Sequence, residues 1–167
     1  MDLQKNKRNV ALDDLMPVIR EKLDMGGSIN LPSTGMSMAP LFHHMRDEVA
    51  LEAADGRALS KYDMVLYRRD SGQYVLHRIV GYTEQGYILR GDAQYISEAP
   101  VRPDQIIARV TGFKRNGREH SCCEFKYRVY SIVWVNTCFI RQVYTMVKSR
   151  VGILYYKIFS AKNKKKP

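Results

Sequence analysis

The central part of the chain consists of short runs of β-branched and aromatic residues separated by turn signals. These runs cover residues 49–51, 64–67, 74–82, 87–89 and 106–113. Runs of this length, punctuated by Gly, Pro, Asp and Ser, are typical of β-strands. The sequence therefore predicts a mainly β body over residues 28–124, with a hairpin where the second run meets the third.

Apolar positions recur at helical spacing at both ends of the chain. Leu12, Leu15, Ile19 and Leu23 predict a short N-terminal helix that stops at Gly-Gly, after a basic lead, so that residues 1–27 form one segment. A second seam at steps of three and four residues predicts a C-terminal amphipathic helix in residues 125–167. That seam consists of Val129, Val133, Ile140, Val143, Val147, Val151 and Leu154.

The net charge of +10 belongs entirely to this C-terminal extension. Residues 125–167 contain ten basic residues and no acidic one, which leaves 17 basic against 17 acidic residues in the rest of the chain. A neutral body with a basic tail indicates an anionic partner for the tail, either a membrane surface or nucleic acid.

Several classes of protein are disfavoured. The first ten residues are polar and basic with no apolar run behind them, so we expect neither a secretory signal peptide nor an N-terminal anchor. The apolar run at residues 129–140 is shorter than the roughly 20 residues of a spanning helix. Three cysteines and the adjacent pair His43 and His44 lack metal-ligand spacing, so no metal and no cofactor is expected.

The segment Pro-Ser-Thr-Gly-Met-Ser-Met-Ala-Pro concentrates small and turn-forming residues around Ser37, which Met36 and Met38 flank. A serine becomes a nucleophile when a base takes its proton and N–H groups face the developing oxyanion. A tight turn that contains Gly35 and is locked by Pro40 presents a hydroxyl together with its own N–H. On composition alone the segment is a loop, so a catalytic interpretation depends on the rest of the chain.

The same segment resembles the nucleophile boxes of one superfamily of serine peptidases. Gly-Met-Ser-Met at residues 35–38 resembles the motif of the LexA-type self-cleaving repressors. Ser-Met-Ala-Pro at residues 37–40 resembles the Ser-Met-x-Pro box of the type I signal peptidases. Tyr-Asp-Met-Val-Leu-Tyr at residues 62–67 is similar to the next box, with Tyr62 in place of the usual glycine.

Two further boxes extend the resemblance over residues 30–113. His77 and Arg78 stand where bacterial signal peptidases carry Lys-Arg and where the endoplasmic-reticulum and archaeal type carries His-Arg. Leu-Arg-Gly-Asp-Ala-Gln at residues 89–94 is similar to the Gly-Asp box of that type. The resemblance therefore points to the Ser-His signal peptidases and implies their coiled β-sheet fold.

This resemblance implies roles for individual residues. Ser37 is expected to be the nucleophile and His77 the base, and a histidine base needs an acid that fixes its tautomer. Asp92 is the favoured acid, with Glu98 as the alternative, because the endoplasmic-reticulum type carries a second acid six residues after its Gly-Asp aspartate.

The segment around the nucleophile is expected to bind substrate and the oxyanion. Gly35, Met36, Met38 and Pro40 are the residues concerned. Gly35 occupies the position of the serine that supplies an oxyanion hydroxyl in bacterial signal peptidases. The Ser37 N–H would then be joined by Thr34 or Ser33.

The expected function is that of a serine endopeptidase that processes a peptide or protein precursor. The resemblance implies small residues before the scissile bond and an extended substrate. Two alternatives remain: a non-catalytic, membrane-associated binding module derived from this fold, and a LexA-like self-cleaving regulator. The typical Ala-Gly and Cys-Gly cleavage sites of that regulator are not found in the chain.

The expected location is the cytoplasm, with residues 125–167 on the inner face of an anionic membrane. Aromatic residues on the apolar side of the extension and lysines at its end suit a helix lying in the membrane plane. Nucleic acid is disfavoured, because a LexA-type repressor carries its DNA-binding domain ahead of the peptidase and few residues precede Ser37.

Overall fold

The computed structural model describes residues 12–54 and 58–163, with side chains as far as Val151. These residues form eight strands: β1 (Ile29–Pro32), β2 (Glu48–Ala53), β3 (Met64–Arg68), β4 (Tyr74–Thr83), β5 (Gly86–Arg90), β6 (Glu98–Val101), β7 (Ile106–Arg115) and β8 (Arg118–Ser121). The helices are α1 (Leu12–Asp24), α2 (Phe125–Asn136) and α3 (Cys138–Asn163), and a 3₁₀ turn covers Pro103–Gln105. The prediction of a mainly β body is confirmed.

All eight strands belong to one antiparallel sheet. Its order is β1-β2-β7-β3-β4-β5-β6, and β8 pairs with β7. The predicted hairpin is β3 with β4, in which Val65 lies opposite His77 and Tyr67 lies opposite Val75. The pattern did not predict β1, β6 and β8, because each has four residues and two of them contain proline, which removes a backbone donor.

Apolar side chains form two clusters, and alternate side chains of β3 belong to one cluster or to the other. Met64 and Leu66 join the cluster that includes the buried face of α1, whereas Val65 and Tyr67 join the other. This division follows from the two-residue period of a strand. His77 lies directly opposite Val65 and therefore lies on the same face of the sheet as Tyr67.

The C-terminal extension consists of two helices with different roles. α2 buries Tyr127, Ser131 and Val135 against the body. The residues of the predicted seam as far as Val151 instead stay accessible, and Val133 and Ile140 are both more than half exposed; Leu154 lies outside the described side chains. In the part of the chain that the structure describes, no helix has both the length and the apolar character needed to cross a membrane.

Candidate active site

The turn that carries the predicted nucleophile Ser37 (the nucleophile turn) covers residues 33–40 and begins where β1 ends. Ser33 is buried, and its backbone makes two hydrogen bonds. Its N–H donates to the Asp47 carbonyl, and its carbonyl accepts from the N–H of Met45. Met38 packs its side chain in the core, and Ala39 N–H donates to the Met36 carbonyl at 3.1 Å. The turn is therefore anchored on both sides of Ser37, whose own side chain is half-buried.

The Gly-Asp box holds this turn from the opposite side. Ala93 N–H donates to the Ser37 carbonyl at 2.8 Å. A Cβ at Gly91 would lie 2.6 Å from the same oxygen, which is a clash with backbone. A glycine is therefore required at this position so that the two loops can approach each other.

Asp47 and His44 support the nucleophile turn, and the sequence interpretation missed both. The Asp47 carboxylate is fully buried and accepts hydrogen bonds from the Arg46 guanidinium and from His43 N–H. The Arg46 hydrogen bonds lower the pKa of Asp47 to about 2. His44 Nδ1 accepts the N–H of Gly35 at 3.0 Å, and Gly35 has the positive φ of 80° that favours glycine.

The proposed base is a buried side chain on β4. His77 is only 1% exposed. Its Nδ1 lies 3.1 Å from the Tyr67 hydroxyl and 3.5 Å from Glu98 Oε1. Its Nε2 is also buried and has no hydrogen-bond partner among the described residues. One nitrogen is therefore held by the protein, and the other is left for a further partner.

Burial governs the protonation of His77. It lowers the pKa to about 4, because an imidazolium loses its hydration inside the protein. Glu98 and Asp92 oppose this shift, while Arg69 adds to it. The imidazole is thus neutral over a wider range of pH than the ordinary pKa of about 6.5 allows.

Glu98 is the carboxylate that reaches His77. It also receives two hydrogen bonds from Arg69, of which the one from Nε to Oε2 measures 2.8 Å. The guanidinium holds the pKa of Glu98 below its usual value. Glu98 therefore presents a negative charge beside Nδ1 of His77 at neutral pH.

Asp92 has a different partner. Its two carboxylate oxygens accept from Nε and Nη2 of Arg78 at 2.8 and 2.7 Å. Because neighbouring residues on a strand point to opposite faces, a carboxylate that pairs with Arg78 is directed away from His77. The expected contact between Asp92 and His77 is not found, and of the two acids that the sequence left open the geometry favours Glu98.

Arg78 also connects its ion pair with Asp92 to α2, the first helix of the C-terminal extension. Its Nη1 donates to the Tyr127 hydroxyl at 2.8 Å and to Ser131 Oγ at 3.0 Å. Trp134 Nε1 donates to the Asp92 carbonyl at 2.9 Å. α2 is therefore attached to the Gly-Asp box, which in turn contacts the nucleophile turn.

A cleft of about 640 Å³ brings Ser37 and His77 together. Ser33 and Thr34 also line it, so both residues proposed to support the oxyanion have access to the same space. Of the four residues predicted to bind substrate or the oxyanion, Met38 lines the cleft. Apolar walls come from α1 and the sheet, and include Leu12, Leu15, Leu31, Val49, Leu51 and Leu66.

The remaining three of those four residues shape or border the turn. Gly35 supplies its positive φ, Pro40 follows a cis peptide bond, and Met36 is 53% exposed. No hydrogen bond joins His77 Nε2 to Ser37 within the described residues. Such bonds are often long in enzymes without substrate and tighten when substrate binds.

Tyr62 has a backbone conformation that glycine adopts more readily. Its φ is 84°, in the left-handed region that costs a residue with a side chain roughly 1–2 kcal/mol. Its N–H donates to the Ile79 carbonyl at 2.8 Å, and its carbonyl accepts from Arg78 at 3.0 Å. Strand β4 and its buried arginine therefore hold this loop in place despite the tyrosine.

No protein-family model matches the chain, and a comparison with curated proteins finds no match either.

Proposed function

We propose that the protein is a serine endopeptidase with the coiled β-sheet fold of the signal-peptidase and LexA-like superfamily. One observation carries the proposal: Ser37 and His77 line the same cleft, and His77 keeps one ring nitrogen bonded and the other unpaired. Histidine in this state accepts a proton from a serine hydroxyl.

The proposed reaction has two stages. Ser37 Oγ bonds to the carbonyl carbon of the scissile peptide while its proton moves to His77 Nε2, and the Ser37 N–H binds the oxyanion. The C–N bond then breaks, and the leaving amine takes the proton from Nε2. Water hydrolyses the resulting ester by the same proton route. Glu98 stabilises the transient imidazolium in place of Asp92.

The cleft suits an extended peptide. β1 lies at one end of the sheet, pairs only with β2 among the described strands, and leads directly into the nucleophile turn. An extended substrate can hydrogen-bond to the free edge of such a strand while alternate side chains enter the cleft. Aliphatic side chains form about half of the lining and outnumber the two charged residues there, Asp13 and Arg69, so we expect mainly apolar or small residues next to the bond.

Cleavage of a peptide library by the purified protein tests this function. Ser37→Ala should abolish cleavage and leave the thermal midpoint nearly unchanged, because the hydrogen bonds that hold the turn within the described residues come from the backbone and not from the Ser37 hydroxyl. Ser71→Ala, an exposed serine in the turn between β3 and β4, is the matched control and should cleave normally. Cleavage by Ser37→Ala at the wild-type rate would exclude the proposal.

Two other functions use the same cleft and are outcomes of the same experiment. A binding module that cuts nothing would retain a peptide on the cleft without producing fragments, equally in wild type and Ser37→Ala. A self-cleaving regulator would produce fragments of its own chain upon incubation without any substrate. The sequence contains neither Ala-Gly nor Cys-Gly, the typical sites of self-cleavage, which favours cleavage of a separate peptide.

We further propose that α3 holds the enzyme on an anionic membrane surface. Phe139, Ile140, Val147 and Val151 are each at least 56% exposed on this helix. The opposite side contacts the body, since Thr145 bonds to Tyr95. Lys148 and Arg150 are also exposed on this helix, so its described surface combines apolar and cationic groups, in a segment where the sequence has ten basic residues and no acidic one beyond position 124.

Sedimentation with vesicles tests this location. Each basic residue near an anionic leaflet contributes about 1 kcal/mol, so binding should weaken as salt rises and should be smaller on neutral vesicles. The double variant Ile140→Asp and Val147→Asp should bind less. Val18→Asp, on the exposed side of α1, is the control. Wild-type protein that stays in the supernatant under all conditions would exclude the proposed membrane contact.

A further inference from the structure

Tyr67 lies between the proposed base and its acid. It is fully buried on β3, and its hydroxyl lies 3.1 Å from Nδ1 of His77. The Glu98 carboxylate faces the same imidazole nitrogen, with Oε1 3.5 Å from Nδ1. Burial, and after it the Glu98 carboxylate, raise the pKa of Tyr67, so this hydroxyl keeps its proton at neutral pH.

The chemistry of these partners fixes the direction of each hydrogen bond. Arg69 can only donate, so the Tyr67 proton is directed either to Glu98 or to His77. Glu98 is ionised, and a carboxylate is a stronger acceptor than a neutral imidazole. Two oxygens, that of Tyr67 at 3.1 Å and Oε1 of Glu98 at 3.5 Å, thus face Nδ1, while Nε2 has no partner among the described residues. This arrangement favours a proton on Nδ1, with a lone pair of the tyrosine oxygen facing it and the Tyr67 proton turned toward Glu98.

We propose that Tyr67 is a positioning residue that sets the tautomer of His77. By donating to Glu98 and accepting the Nδ1–H of His77, it leaves Nε2 as the acceptor for the Ser37 proton. This inference rests on the proposed peptidase function for its catalytic meaning. The buried and unpaired Nε2 agrees with it, because a protonated Nε2 would be an unsatisfied buried donor.

The tautomer can be measured without any substrate. Nitrogen-15 NMR of the labelled full-length protein at pH 7 distinguishes the protonated ring nitrogen from the bare one. The signals of His77 are identified by their loss in His77→Gln. Wild type should have the proton on Nδ1, and in Tyr67→Phe the share of the proton on Nε2 should rise measurably, because Nδ1 keeps only the longer contact with Glu98. A proton on Nε2 in wild type would overturn the proposal.

Kinetics provide the second readout. In Tyr67→Phe, kcat should fall by about 10²-fold with little change in KM, because a misplaced proton impairs base catalysis but not substrate binding. The pH dependence of kcat should also change in this variant, because the tyrosine contacts His77, whose pKa depends on the nearby charges of Glu98, Arg69 and Asp92. Tyr87→Phe, a half-buried tyrosine on β5, is the control and should keep the wild-type kcat and tautomer.

A second variant keeps the test decisive if Tyr67→Phe does not fold. Glu98→Gln removes the charge that attracts the Tyr67 proton, and it should move the His77 proton in the same direction. Unchanged tautomers in the folded variants would overturn the role of Tyr67 even if the protein is a peptidase. A Tyr67-dependent tautomer in a protein that cleaves no peptide would support this inference while contradicting the proposed function.

Discussion

Asp92→Ala removes one partner of an ion pair that is almost completely buried. The side chains of Arg78 and Asp92 are 0% and 2% exposed, and two hydrogen bonds join them. Removing one partner of such a pair leaves a buried charge uncompensated and costs about 3–5 kcal/mol. In a protein of this size each kcal/mol lowers Tm by roughly 2–4 °C. The expected decrease in Tm is therefore roughly 6–20 °C.

Thermal unfolding followed by circular dichroism at pH 7 measures this effect. Asp104→Ala is the matched control, because its ion pair with Arg102 is exposed on both sides and such pairs contribute about 0–1 kcal/mol. Replacing Arg78 and Asp92 together with Met and Leu should recover part of the loss. If Asp92→Ala unfolds at the temperature of the control, the structural role assigned to this pair is refuted.

The same variant separates stability from catalysis. Measured well below its Tm, Asp92→Ala should retain more peptidase activity than Glu98→Gln, because Glu98 lies beside His77 and Asp92 does not. The opposite order of activities would restore Asp92 as the catalytic acid.

The site and the extension lead to four further predictions. Because burial lowers the pKa of His77 to about 4, kcat/KM should fall only near pH 4 in a rate titration, and a fall centred near 6.5 would contradict this. The free energy of unfolding should also decrease by on the order of 3 kcal/mol between pH 6.5 and 4, because in this range the imidazole is protonated in the unfolded protein but stays neutral in the folded one. Unfolding experiments on His77→Gln should not show this decrease. Tyr62→Gly should be about 1 kcal/mol more stable than Tyr62→Ala, because only glycine adopts a φ of 84° without cost, and equal Tm values would refute this. Ending the chain after Thr137 should leave the body folded, whereas ending it after Glu124 should cause aggregation in gel filtration, because α2 provides two of the partners of Arg78.

The longer elements of the fold could be predicted from the sequence. The longer strands are runs of β-branched and aromatic residues between turn signals, and α1 has apolar residues at helical spacing. The structure has these elements at the expected places. β1 and β6 could not be predicted, because Ile-Asn-Leu-Pro and Glu-Ala-Pro-Val are too short and too mixed to show a period. Their strand conformation comes from pairing with β2 and β5.

Only those parts of the candidate site that lie within one short stretch of sequence could be predicted. The serine turn and the His-Arg pair stand out in the sequence, and the structure brings Ser37 and His77 to one cleft. The sequence alone could not decide which acid lies beside His77, because Asp92 and Glu98 both come after β5. The choice depends on β4, where His77 and Arg78 point to opposite faces and Arg78 takes Asp92 as its partner. Tyr67 was missed because a tyrosine in a strand has the pattern of a core residue, and its hydroxyl gains a role only through pairing with β4.

A serine-reactive phosphonate probe tests the central claim most directly, because it reports an activated serine without knowledge of the substrate. Intact mass and peptide mapping should locate a single adduct on Ser37. Labelling should be lost in Ser37→Ala and should be slowed strongly in His77→Gln, while Ser71→Ala should be labelled like wild type. An adduct that persists in Ser37→Ala, or labelling at the same rate without His77, would contradict the proposed Ser37–His77 mechanism.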